Sequence, residues 1–314
     1  MNSVAEQTGE IFDLGYQHYD GPREGRMRAR QALFVNGVRT AIGLGRGWQS
    51  KVLPGLLFLA VVIPAAVISL TASTAGPFEA IPGHADYYRI VSVILFLFSA
   101  TIAPELLCPD RRDRVIDLYL VRPLTTTDYI VGRYLAFFSV MFSLVLFGQI
   151  ILFVGLTLAA AEPWEYITDN WLDIPRFLVA GIVVALFATT LPLAVSTFTI
   201  RRTYAAAFVI ALFLVSVPVA AILTFCDEEA RSNAFGAPQQ QCDPVTGDAA
   251  KWFALLSFPE VPMHVSDLVF DDESDSDLAE LVRELPTAIP VGWFLVLTIG
   301  PGFVLWWQYR RMVM

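Results

Sequence analysis

The sequence predicts an all-α, polytopic membrane bundle of six transmembrane helices, preceded by an N-terminal interfacial helix and interrupted by a re-entrant element before the last span. Three observations carry this. The 314 residues are 55% apolar and only 16% charged, where a soluble domain holds roughly 25% charged residues. The apolar residues gather into six runs close to the ~20 residues that a helix needs to cross a hydrocarbon core. The basic residues fall on alternating connections between those runs.

Each element follows from local pattern. Residues 13–26 contain Gly15, Gly21, Pro22 and Gly25 and read as irregular. Residues 28–48 read as an amphipathic helix, because Phe34, Val38, Ala41 and Ile42 recur at i, i+4, i+7 and i+8 and share a face. On an interfacial helix Arg28, Arg39 and Arg46 would lie toward anionic headgroups, with Trp48 at the boundary. A soluble N-terminal helix is the alternative. The first fifty residues lack the apolar stretch of a signal peptide, so no cleavable leader is expected.

The six runs are 52–71, 90–107, 134–158, 177–200, 204–225 and 289–307. Backbone polar groups inside lipid must bond to one another, so these runs are helical. Pro54, Pro64, Pro192 and Pro218 are tolerated there as kinks or helix starts.

Orientation follows from Arg and Lys. Arg23, Arg26, Arg28, Arg30, Arg39, Arg46 and Lys51 precede the first run, and Arg111, Arg112, Arg114, Arg122 and Arg133 lie between the second and third. Arg201 and Arg202 join the fourth to the fifth, and Arg310 and Arg311 close the tail. The other side has Arg89, Arg176, Arg231, Lys251 and Arg283. The positive-inside rule therefore predicts cytoplasmic termini in a cell membrane. On this reading residues 1–51 are a cytoplasmic segment and 52–314 a six-span domain.

The outer side then holds one large connection, 226–287, with an acidic run at Asp271, Asp272, Glu273, Asp275 and Asp277. A solvated surface is the plain reading of that run, and a cation site the rival. Before it, Trp252, Phe253, Leu256, Phe258, Val261, Val265 and Phe270 are too apolar for free solution and too short a piece to span. Broken by Pro259 and Pro262, they read as a re-entrant or interfacial segment. Cys226 and Cys242 in the same connection have a spacing compatible with a disulfide outside the cell, or with two free thiols.

No catalytic constellation is visible. Cys108 stands alone, and His18, His84 and His264 show no ligand spacing, so no metal site is expected. A phosphate-binding G-x-x-x-x-G-K-[ST] loop is absent, as are H-E-x-x-H and G-x-S-x-G. Gln149 is the main polar residue at depth, and Glu105 lies toward the cytoplasmic end of the second run. Ion-driven carriers generally use ionisable groups near the midplane. The energy source is therefore expected outside this chain, with a secondary transporter or a membrane scaffold or enzyme as rival readings.

Residues 103–134 are the most informative. The chain leaves the second run with Glu105 and a cluster of Arg111, Arg112, Asp113, Arg114 and Asp117. A short amphipathic stretch of Val115, Ile116, Leu118 and Leu120 follows and stops at Arg122-Pro123. Thr127-Asp128 is positioned to cap the next helix, which re-enters through Gly132-Arg133. This charged exit, the DLYLVRPLTTTDYIVGRY stretch and the return into the membrane resemble the permeases of ABC-2 type transporters. The resemblance covers the whole predicted topology; the long acidic connection is larger than a minimal permease of this type needs. It implies that Glu105, Arg111, Arg112, Asp113, Arg114 and Asp117 form or flank a coupling helix that docks on a P-loop ATPase subunit. It further implies an exporter with a second permease chain, identical or homologous, and ATP and Mg bound by the partner rather than by this chain. Membrane lipid is an expected partner, nucleic acid is not.

Overall fold

The computed structural model describes residues 25–45, 47–74, 81–120, 124–224, 248–272 and 276–313. Arg46, Cys226 and Cys242 lie outside the described residues, as does the side chain of Asp117. Among the described residues there are twelve helices and no strand. They are α1 (Arg26–Ala41), α2 (Gln49–Thr74), α3 (His84–Arg112), α4 (Val115–Leu120), α5 (Thr126–Ala159), α6 (Pro163–Asp169), α7 (Asp173–Ser196), α8 (Arg202–Thr224), α9 (Asp248–Ala254), α10 (Glu260–Phe270), α11 (Asp277–Arg283) and α12 (Ala288–Val313).

Six of them, α2, α3, α5, α7, α8 and α12, are long and apolar enough to cross a membrane. All six predicted runs lie mainly within these helices, several of which extend beyond the apolar stretch. The extensions are polar turns at the membrane surface: α3 continues to Arg112, and α5 begins at Thr126. Composition finds the part in lipid, but a helix ends where its caps are.

The six are not equivalent. The most apolar windows of α3 and α7 are 67% and 72% buried, against 22% for α2 and α8. Small residues explain the centre. Ala180, Ala185 and Ala188 of α7 are wholly buried, and Gly181 faces the hydroxyl of Tyr88 and the ring of Phe142. In lipid, where apolar side chains gain nothing by leaving the solvent, close backbone approach drives helix packing. On α5 the glycines Gly148 and Gly155 lie on one stripe against α2. A Cβ at Gly148 would fall 1.7 Å from the Tyr87 hydroxyl oxygen, which donates to the Val61 carbonyl at 2.9 Å.

The N-terminal helix differs from expectation in extent and in face. It ends at Ala41 because Gly43 and Gly45 take φ of 74° and 85°, a left-handed turn that glycine adopts without strain. The fully buried stripe is Leu33, Gly37 and Ala41, one residue off the predicted face. Gly37 sets that register: a Cβ there would meet the Cβ of Ala136 at 2.6 Å. Gly132 on α5 reciprocates by leaving room for Leu33. Phe34 and Val38 flank the contact instead of centring it, and Trp48 precedes α2, exposed.

On the face opposite the termini, the apolar piece expected as one re-entrant or interfacial segment forms two short helices, α9 and α10. Residues 261–267 are all buried, and α10 packs against α3, α7 and α12. Arg89 near the start of α3 holds α10 in place, donating to Glu260 at 2.7 Å and Asp267 at 2.8 Å. Burial raises the Asp267 carboxyl to about 6 despite Arg89. Burial, with Arg283 and Arg89 near, lowers His264 to about 4.

Candidate functional site at the arginine-rich face

The site lies where α3 leaves the bundle and α5 enters it. Thr125 caps α5: its hydroxyl accepts from the Asp128 amide at 3.3 Å, while the Asp128 carboxylate accepts from the Thr125 amide at 3.0 Å. This capping box replaces the Thr127-Asp128 cap expected from sequence, by a shift of two residues. Asp128 also receives the Nε groups of Arg26 and Arg30, each at 2.8 Å. Those two arginines are one helical turn apart on α1, so both reach one carboxylate. The capped end of α5 thus clamps α1.

One turn further along α5, Arg133 is 3% exposed. Its Nη2 donates to Asp110 on the last turn of α3 at 2.6 Å, and Tyr129 donates to the same oxygen at 2.8 Å. The Arg133 Nε and Nη1 have no hydrogen-bond partner among the described residues. The Tyr129 ring lies 5.9 Å from Tyr119 of α4 and 5.6 Å from Tyr309 of α12. The short helix α4 is thereby tied to the core through Tyr119, with Ile116 also packed against it.

The predicted coupling residues separate into two groups. Arg111 turns inward and donates to the carbonyls of Thr197 and Thr199 just past the end of α7. A guanidinium there satisfies carbonyls that the helix end leaves open and complements its negative pole. Glu105 turns toward α8 and pairs with Arg202 at 3.3 Å. Arg112, Asp113 and Arg114 instead stand exposed at the tip of α3. Hydrogen bonding by Arg112 at 2.9 Å holds the Asp113 carboxyl below its ordinary range. Arg114 has φ of 53°, a left-handed conformation that turns the chain sharply from α3 into α4. Of the interfacial residues, Arg28 and Arg39 are on α1, and Arg39 is exposed.

Sequence reasoning missed Asp110, Tyr129, Tyr309 and the clamp of Arg26 and Arg30 on Asp128, and treated Arg133 only as a flanking charge. The T-x-x-D spacing of the capping box and the i, i+4 arginines were the available signals. Among the described residues no group of three or more His, Cys, Asp or Glu side chains is placed to hold a metal ion.

An all-helical bundle of six apolar spans, with a charged exit and a capped return on one face, defines a multi-pass membrane protein. The chain belongs to the ABC-2 family of transporter proteins, whose family model matches residues 2–274. A search of curated proteins finds no match.

Proposed function

We propose that the chain is the permease subunit of an ATP-driven ABC-2 type exporter, coupled at the tip of α3 to a separate P-loop ATPase subunit. Two permease chains, identical or homologous, and two ATPase chains would form the assembly, with both termini of this chain cytoplasmic and the bundle in the cell membrane. Family membership and the even number of spans support the reading. The observation that carries it is the exposed trio Arg112, Asp113 and Arg114 at the end of α3, one of the two most deeply packed spans.

The neighbouring contacts give that trio a mechanical base. Asp110 ties the tip to α5, Arg111 ties it to the end of α7, and Glu105 ties it to α8. Closure of an ATPase dimer against the tip would therefore move several spans together. Arg112 and Arg114 offer planar donors suited to carboxylates of a partner, and Asp113 and Asp117 accept from its basic groups.

The test is the purified complex with its ATPase, reconstituted in vesicles. Asp113→Ala with Asp117→Ala leaves every positive charge in place, so insertion and yield should be unchanged. Transport and its stimulation of ATP hydrolysis should fall together, by the equivalent of about 2–5 kcal/mol if the contact is desolvated. Full transport by a well-expressed double variant would move the coupling contact away from these carboxylates.

A further inference from the structure

Helix α6 hangs between the ends of two spans. Three residues separate Ala159, the last of α5, from Pro163, and three separate Asp169 from Asp173, the first of α7. A link of that length reaches at most about 14 Å. Both ends of α6 are therefore held near the level at which α5 and α7 stop, on the side opposite the termini.

The residues of α6 divide into three faces. Trp164 and Ile167 are three apart and share one, with Trp164 76% exposed. Glu165 and Asp169 share a second, which Glu162 extends, and all three acids are exposed. At about 100° per residue these carboxylates lie roughly opposite the Trp164 face. Tyr166 makes the third face and leans on α5, its ring 6.2 Å from that of Phe153. Tyr166 turns toward the bundle, so the tryptophan face and the acidic face are both left open.

The spans on either side carry exposed apolar side chains up to their ends, Val154 and Leu158 on α5 and Ile174 and Ile182 on α7. Trp171, in the turn after α6, is exposed as well. The apolar side of α6 thus continues a surface that already meets lipid. Indole has an apolar body and one N–H donor, and both are served at headgroup level. Residues 160–175 contain no Lys or Arg, so attraction to anionic headgroups plays no part and apolar burial is the driving term.

We propose that α6 and the turn after it lie in the headgroup–acyl boundary of the leaflet opposite the termini, with Trp164, Ile167 and Trp171 toward the acyl chains and Glu162, Glu165 and Asp169 toward water. The partner is the lipid surface itself, whatever its headgroup charge. Seated there, α6 sets the height at which α5 and α7 emerge from the bilayer.

The full chain is reconstituted in vesicles, and the fluorescence lost in Trp164→Phe with Trp171→Phe reports these two indoles. That component should be quenched severalfold more by lipid brominated high on the acyl chain than by lipid brominated near its end. The quenching should be equal in phosphatidylglycerol and phosphatidylcholine vesicles. Spin labels on single cysteines then read the faces, in a chain whose three native cysteines are replaced by serine. Oxygen should be favoured over a water-soluble nickel reagent at the positions of Trp164 and Ile167, and the reverse at those of Glu165 and Asp169. No quenching by either lipid, with free access to aqueous iodide, overturns the proposal and places α6 in water. No quenching with protection from iodide overturns it too, and shows a protein partner or a second copy on this face. Quenching confined to phosphatidylglycerol, or one reagent preference at all four labels, overturns the apolar seating.

Discussion

Arg133 and Asp110 meet at 2.6 Å inside the arginine-rich face, the guanidinium 3% exposed and the carboxylate 15%. They belong to α5 and α3, so one contact joins the helix that leaves this face to the helix that returns from it. Removing one member of such a pair strands the other charge. Asp110→Ala should lower stability in detergent by about 3–5 kcal/mol. Asp110→Ala with Arg133→Met should recover a large part, because neither charge is then left buried alone. Chemical denaturation of the purified chain measures both, and a double variant no better than Asp110→Ala would show that the pair is not the cause.

The glycine contact between α1 and α5 makes a second prediction. With a Cβ at Gly37 only 2.6 Å from that of Ala136, Gly37→Ala should destabilise the packing by about 1–3 kcal/mol through overpacking. Proteolysis within α1 should speed up accordingly. Adding Ala136→Gly restores the room and should reverse most of the effect. If proteolysis stays fast in the pair, helix propensity rather than contact distance governs the site.

The α10 clamp has opposing pH responses. Asp267 is raised to about 6 by burial, so the stability it contributes is greatest when it is protonated and falls as pH rises from about 4 to 6. His264 is lowered to about 4 by burial, so its contribution is present above about 6.5 and is lost as pH falls toward 4. Arg89, Glu260, Asp272 and Arg283 set the surrounding field. The two slopes oppose each other between pH 4 and 6.5, and the native chain should unfold with little pH dependence in that window. Asp267→Asn should leave a stability that rises with pH, and His264→Gln one that falls. Identical flat profiles in all three would remove both groups from the response.

Orientation is tested by reagents that cannot cross the bilayer. Single cysteines replacing Arg112, Arg202 or Arg310 should react only after cells are opened, and one replacing Asp272 should react in intact cells. The distribution of the 21 basic residues is the basis for this. Labelling of the Asp272 position only from inside would reverse the assignment.

The sequence exposed what lipid dictates and concealed what helices do to each other. All six spans were legible, because apolar length is a property of a single segment. The α1 face was read one residue away from its true register, since Phe34 and Val38 are the larger side chains but Gly37 permits the contact. Arg133 looked like a flanking charge because Asp110, its partner, lies 23 positions earlier on another helix. Arg111 looked like its neighbours Arg112 and Arg114, and only the fold shows that its donors reach carbonyls past the end of α7. A string of charges gives no sign of which of its members face inward.

The length of α3 has a consequence for how the two faces communicate. Its 29 residues run unbroken from His84 to Arg112, about 43 Å at the helical rise. Arg89, which grips Glu260 and Asp267, rides on one end of this rod, and Asp110 and Arg111 ride on the other. The two prolines of α3, Pro104 and Pro109, both fall in its last turns at the arginine-rich face, so any give in the rod is confined there. Arg89 holds both carboxylates at once, at 2.7 and 2.8 Å, so axial travel of α3 relative to α10 would lengthen both contacts together. The contacts of α10 with Arg89 are in that sense a gauge of the position of α3.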